Sequence, residues 1–272
     1  MGESLFLFFH LPCNILRYGT YRILKWRKHF SIRGLMCGFI QRITDSPDVI
    51  ALLEEVGLTQ TIPLFVNESS TSNVINFYPA FGNVPERQIT NLIVSGDSTI
   101  DATWWFDAKP VGDTLEVGNR TTFNARNLES PYWSKFIRER RAVVVATAVG
   151  ESNPLGKGKA HYLMKPATGA LLIGAVYRRF SNGLFSCAVV TRPPVEGFSQ
   201  YHEKSIPCFL PHNAHAINAW LAADTQGSLN NEVEYILNSP RTYTDLEVTR
   251  VKTFKSAEAI GEVNVLKADE NR

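Results

Sequence analysis

The sequence predicts an α+β fold, a single domain built round a mostly antiparallel β-barrel or sandwich with short flanking helices. Three observations predict it. Short β-branched runs recur at close spacing. Helical stretches are few and brief, and two of them carry a Ser-Pro start signal. No internal repeat or low-complexity linker interrupts residues 36–258. The elements follow in order. Ser46-Pro47 ahead of Asp48 to Val56, closed by Gly57, predicts a helix with Pro in its first turn. Ser130-Pro131 ahead of Tyr132 to Ile137 repeats the device. Ala142–Ala146 is an apolar β-branched run and predicts a buried strand. Leu171–Tyr177 and Phe185–Thr191 predict two more, joined by a turn with Ser181-Asn182-Gly183. Pro154 to Lys159 reads as a basic hairpin turn, since it lacks the spacing of a phosphate-binding loop. Ala214–Ala222 and Asn231–Leu237 predict helices, and Leu246–Val251 a late strand. From Ala259 onward a polar frayed tail is expected.

Composition bounds the function. The chain has 272 residues, 44% hydrophobic and 20% charged, which fits a globular protein and not a disordered one. Its four cysteines (Cys13, Cys37, Cys187, Cys208) are too few and scattered for a disulfide framework, and none forms a C-x-x-C pair. A structural metal is therefore not expected, nothing in the sequence points to a cofactor, and no apolar run reaches the length of a membrane span. The net charge of +2 hides an asymmetry: residues 1–35 carry six bases and one acid, leaving 22 bases and 25 acids, a net of −3, for residues 36–272. Any nucleic-acid contact must come from a local basic groove. Residues 1–35 read as a leader or a mis-assigned start. The apolar Leu5 to Leu11 precedes the basic stretch, the reverse of a secretory signal. A basic amphipathic membrane anchor over Tyr18 to Phe30 is the competing reading.

If Met36 is the initiator, its removal leaves Cys37 with an α-amine beside its thiol. Such a 1,2-aminothiol condenses with an aldehyde to an imine, and the tethered thiol closes a five-membered thiazolidine. The amine titrates near pH ~8, so part of it is nucleophilic at neutral pH. An internal cysteine has an amide nitrogen and cannot do this; Cys37 would then be a small buried apolar residue.

Four separated segments resemble the SRAP (SOS response-associated peptidase) family, in that family's order and over about residues 36–255. They are Met36-Cys37-Gly38, Phe123-Asn124-Ala125-Arg126, Arg140 to Glu151, and Val190-Thr191 followed by Tyr201-His202 and Ile206-Pro207. The resemblance implies an abasic-site sensor in single-stranded DNA, which shields the lesion by a thiazolidine crosslink. It also implies possible release of the leader by the protein itself, and with it lyase-like and autopeptidase chemistry. On that carry-over Cys37 is the nucleophile and Asn124 orients it and the opened sugar. Glu151 shuttles protons, His202 assists transfer and reversal, and Arg126 binds a phosphate. Each has a plainer alternative: Asn124 as a turn cap, Glu151 as an exposed loop end, His202 as a surface residue. Lys157 and Lys159 are the further bases read as phosphate contacts, and Trp104 and Trp105 as stacking platforms for bases, although adjacent strand residues face opposite sides. Departures from the family pattern include Phe39 in place of an Arg, and Lys204-Ser205 where an Arg is expected after the histidine. A monomer in the cytoplasm, at the nucleoid when bound to DNA and without membrane contact, completes the expectation. Two rival classes stay open: a thiol hydrolase pairing Cys37 with His202, and a non-catalytic DNA-binding protein.

Overall fold

A computed structural model describes residues 38–66, 73–224 and 227–269. Fifteen strands and five α-helices make up these stretches. The first part of the chain gives β1 (Phe39–Ile43), α1 (Pro47–Glu55), a 3-10 turn over Thr59–Leu64, β2 (Val74–Phe77), β3 (Gln88–Ser95) and β4 (Ser98–Thr103). A small hairpin, β5 (Ala108–Val111) and β6 (Thr114–Val117), precedes the two-residue β7 (Asn124–Ala125) and α2 (Ser134–Glu139). The middle of the chain is β8 (Arg141–Ala146), β9 (Ala148–Leu155), β10 (Gly158–Pro166), β11 (Leu171–Arg179) and β12 (Phe185–Arg192). Then come α3 (Glu196–Ser199), β13 (Ile206–Pro207), α4 (Ala214–Leu221), α5 (Asn231–Asn238), β14 (Leu246–Val251) and β15 (Ala259–Leu266).

Strands β11, β8, β3, β4 and β12 pair in that order, and β12 pairs back to β11, so five strands close into a barrel. Closure removes the free edges that an open sheet would expose. All contacts round the ring are antiparallel except the single β12–β4 register, Ser186 opposite Thr103. The second sheet runs β15-β14-β10-β9-β1-β2. The α+β barrel architecture is thus as the sequence predicts.

The barrel strands bury both faces. All six residues of β8 are buried, as are Leu171–Val176 of β11, because one side fills the barrel and the other carries helices. Asn213 caps α4 and Asn230 caps α5, each side chain accepting a backbone N–H at 2.8 Å. Trp220 of α4 lies on Gly174, where a Cβ would stand 2.5 Å from the indole.

Two expectations need correction. The helix signalled by Ser130-Pro131 starts three residues later, at Ser134, because Ser130 accepts the Trp133 and Ser134 amides in a preceding turn. The tail expected from Ala259 is the edge strand β15, paired with β14 over Leu246–Val251. Its Ile260, Val263 and Val265 are exposed, so β-branched residues extend a sheet there without entering a core.

Candidate active site

The site is assembled on the inner strands β10, β9 and β1 of the second sheet. Phe39 of β1 lies opposite Gly150 of β9, and the same Gly150 lies opposite Leu163 of β10. Gly150 must be glycine. A Cβ there would stand 2.6 Å from Phe254 and 2.8 Å from Phe39, whose rings stack at 4.9 Å across it. With Phe39 level with Gly150, Gly38 comes level with Glu151. Cys37 lies outside the described residues.

Alternation along β9 turns Glu151 to the face opposite Gly150 and Ser152. Its carboxylate is buried, 1% exposed, and meets His202, itself 2% exposed, at 3.7 Å between Oε2 and Nε2. That exceeds hydrogen-bond length but lies within reach of charge pairing. The Lys204 and Ser205 amides donate to His202 Nδ1 at 3.1 and 3.3 Å. Nδ1 is therefore an acceptor, which assigns the neutral ring's proton to Nε2, facing Glu151. The plainer readings of Glu151 as a loop end and His202 as a surface residue are overturned by this burial. A buried carboxylate beside an imidazole of fixed tautomer can pass a proton in either direction.

Two side chains hold the loop that carries His202. Asn153 Nδ2 donates to the Gln200 carbonyl at 3.0 Å, and Arg126 Nη2 donates to the Lys204 carbonyl. Arg126 is exposed, so its guanidinium ties the loop and keeps donors facing solvent. Asn124 is buried in β7, opposite Val189 of β12, two residues before Arg126. Three residues beyond Val189 on β12, Arg192 pairs with Ile206, just after the His202 loop.

A small cavity of about 50 Å³ adjoins this pair, lined by Ser152, Asn153, Pro154, Lys159, His202, Glu203 and Lys204. Burial and the like charge of Lys204 lower the basicity of Lys159. Two ammonium groups held together in this way favour an anion between them. The sequence reading missed Lys204; its signal was its place two residues after His202, where a family Arg is expected. Lys157 sits exposed at the turn between β9 and β10, where Gly156 takes φ +57°, and does not line the cavity. Ser152 Oγ lies 2.8 Å from His161 Nδ1, directly across the β9–β10 ladder.

Trp104 and Trp105 are not stacking platforms. Both are core residues, 0% and 5% exposed, with their indole N–H groups donating to the Phe123 and Gly118 carbonyls. The chain bends as it leaves β4, the Trp105 amide bonding to the Thr103 carbonyl, so strand alternation no longer applies and both rings turn inward. Cys187 and Cys208 are buried, and burial pushes both thiols up, Cys208 to about 12. Neither supplies a thiolate at neutral pH. Among the described residues no cluster of three metal-ligating side chains occurs, and no helix is long and apolar enough to cross a membrane.

Fold and site define a closed-barrel α+β protein with an acid–imidazole pair beside the start of its first strand. The chain belongs to the SOS response associated peptidase (SRAP) family, whose model matches residues 36–254. Solved structures of similar fold include a Bordetella bronchiseptica protein, 14% identical, TM-score 0.55, covering 80% of this chain and all of that one. A phage-related protein from the same organism is 17% identical, TM-score 0.53, with 80% and 95% of the two chains covered. A Bacteroides thetaiotaomicron protein is 15% identical, TM-score 0.52, with 78% and 92% covered. No curated protein sequence matches the chain. The family links the chain to the DNA-damage response and is consistent with a role in contact with DNA and with an enzyme-like activity.

Proposed function

We propose that this chain is an abasic-site sensor that forms a thiazolidine crosslink with single-stranded DNA through Cys37, once Cys37 is the N-terminal residue. The observation that carries the reading is the buried Glu151–His202 pair level with Gly38. Cys37 is one peptide link from Gly38, and consecutive Cα atoms stand about 3.8 Å apart. The aminothiol is then delivered to a proton donor–acceptor pair.

The steps balance in protons. The α-ammonium gives up a proton and the free amine adds to the ring-opened sugar aldehyde. The resulting carbinolamine takes a proton and loses water to give an iminium ion. The thiol adds to its carbon and releases a proton, closing the ring. Each proton has a carrier in the Glu151–His202 pair, and general acid–base catalysis of this kind contributes roughly 100- to 10,000-fold. Asn124 orients the aminothiol and the sugar. Lys159 grips a neighbouring phosphate, with Lys204 added to the expected Arg126 and Lys157. Residues 1–35 are a leader absent from the active form, removed by the protein itself or never made, and the working domain runs from residue 36 through β15.

The test begins with the intact mass of the protein purified from its own host, followed by incubation with abasic single-stranded DNA. A mass beginning at Cys37 and a crosslink that survives denaturation are expected. A mass that retains residues 1–35, or a Cys37-initiated protein that forms no crosslink, sinks the reading. Acetylation of the α-amine separates crosslinking from a thiol hydrolase, since only crosslinking needs the free amine.

A further inference from the structure

We propose that the ends of β11 and β12 carry a second nucleic-acid surface, four arginines mounted on aromatic rings and poised to take the phosphate backbone away from the lesion. It rests on the reading that the chain holds a DNA strand. It adds a place on the molecule that the Glu151–His202 site does not include.

Each guanidinium sits over a ring. Arg140 lies 5.7 Å from the Tyr177 centroid and Arg179 lies 6.0 Å from that of Phe185. The Tyr177 and Phe185 rings are themselves 6.3 Å apart, so these four side chains form one group. Arg178 lies 4.7 Å from Phe180, and Arg120 lies 5.7 Å from Tyr132. Arg120 and Arg178 both act on the Tyr132 phenol, against the burial and the Asp107 charge that raise it, so they flank the same ring. Arg178 and Arg179 are the last two residues of β11 and turn to opposite faces of it, so the two groups flank the end of that strand on either side.

Among the described residues no carboxylate lies within 4.0 Å of any of the four guanidiniums. The acids nearby are engaged elsewhere: Glu139 faces Lys135 at 3.9 Å, Asp224 bonds Arg141 at 2.7 Å, and Asp107 accepts the Arg120 amide at 3.2 Å. A residue range with net charge −3 thus concentrates, at one end of two strands, cations with no carboxylate partner among the described residues. Contact with a ring orders each guanidinium, while Arg120, Arg140 and Arg179 stay exposed and Arg178 half-buried. A ring-ordered guanidinium that solvent reaches can take a phosphate through two N–H groups. Phe185 is four residues along β12 from Val189, the partner of Asn124, or about 13 Å at ~3.3 Å per residue. One strand can therefore meet both places.

The test is the full-length protein and its R140Q/R178Q/R179Q variant, titrated with an undamaged single-stranded oligonucleotide at several salt concentrations. The variant is expected to bind at least tenfold more weakly at low salt. Its log-affinity against log-salt slope should be shallower by about 2, from ~0.7 per lost phosphate contact. R140K/R178K/R179K keeps the charge and loses the fork, so it should retain most of the slope and part of the affinity. Unchanged affinity and slope in the Gln variant overturn the proposal, as does capture of an acidic protein with strand binding intact. Crosslink formation is read separately: its failure with strand binding preserved counts against the thiazolidine reading and leaves the arginine surface standing.

Discussion

Glu151 and His202 are buried together, and the proton-transfer role proposed for them has a measurable signature. Glu151→Gln and His202→Gln should each slow crosslinking by about 100-fold. The double variant should cost little more than either alone, because the pair acts as one unit. Additive losses, measured as single-turnover rates, would mean two independent roles. Nothing in the sequence put these two side chains within 3.7 Å; they are 51 positions apart, and only the shared family order linked them. His161 makes a prediction about pH. Burial, then the Lys159 charge, lowers its basicity from the ordinary value of 6.5. Above that value the ring is neutral whether the chain is folded or not. Below it the unfolded chain binds a proton that the folded chain takes up less readily, so stability falls as pH falls. His212, lowered chiefly by burial, works in the same direction. Melting temperature should drop between about pH 7 and about pH 5, and His161→Gln should flatten part of that drop. An unchanged profile would remove His161 from the account.

At the scale of elements, the first residue of β8, Arg141, ties two helices together. Its side chain donates to the Ile137 and Arg138 carbonyls at the end of α2, and to the Ala219, Trp220 and Ala222 carbonyls at the end of α4. One guanidinium thus closes two helix C-termini, whose last carbonyls have no partner within the helix. Asp224 completes the pair at 2.7 Å. Arg141→Met removes one partner of a buried pair and should cost about 3–5 kcal/mol, read from the urea midpoint. A loss under about 1 kcal/mol would show that water replaces the guanidinium. The elements legible in the sequence were the β-branched runs of β8, β11 and β12, the Pro start of α1, the helices α4 and α5, and β14. Strands β1 to β4 were not legible, because their buried positions mix types. Arg42, 1% exposed in the middle of β1, reads as a surface residue until Phe65 and Phe77 are seen on either side of it at 4.8 and 5.0 Å.

For the molecule as a whole, the chemistry and the barrel are joined through one strand. β1 pairs with β2 on one side and β9 on the other. Arg42 ties it further to the barrel, donating to the Val145 carbonyl of β8 at 2.9 Å and the Thr90 carbonyl of β3 at 3.0 Å. Burial pulls that guanidinium down to about 9, which leaves it charged at neutral pH. These bonds set a path for mechanical load. On the proposed crosslink, a tug on the DNA by a passing motor enters the protein at residue 37 and runs along β1. The ladders to β2 and β9 then share it in shear, and Arg42 hands the remainder to the barrel wall. A lesion shield of this design holds under tension only as well as its first strand does. Pulled from that end in an optical trap, Arg42→Met should yield at lower force than the parent protein, whereas equal rupture forces would place the anchor elsewhere.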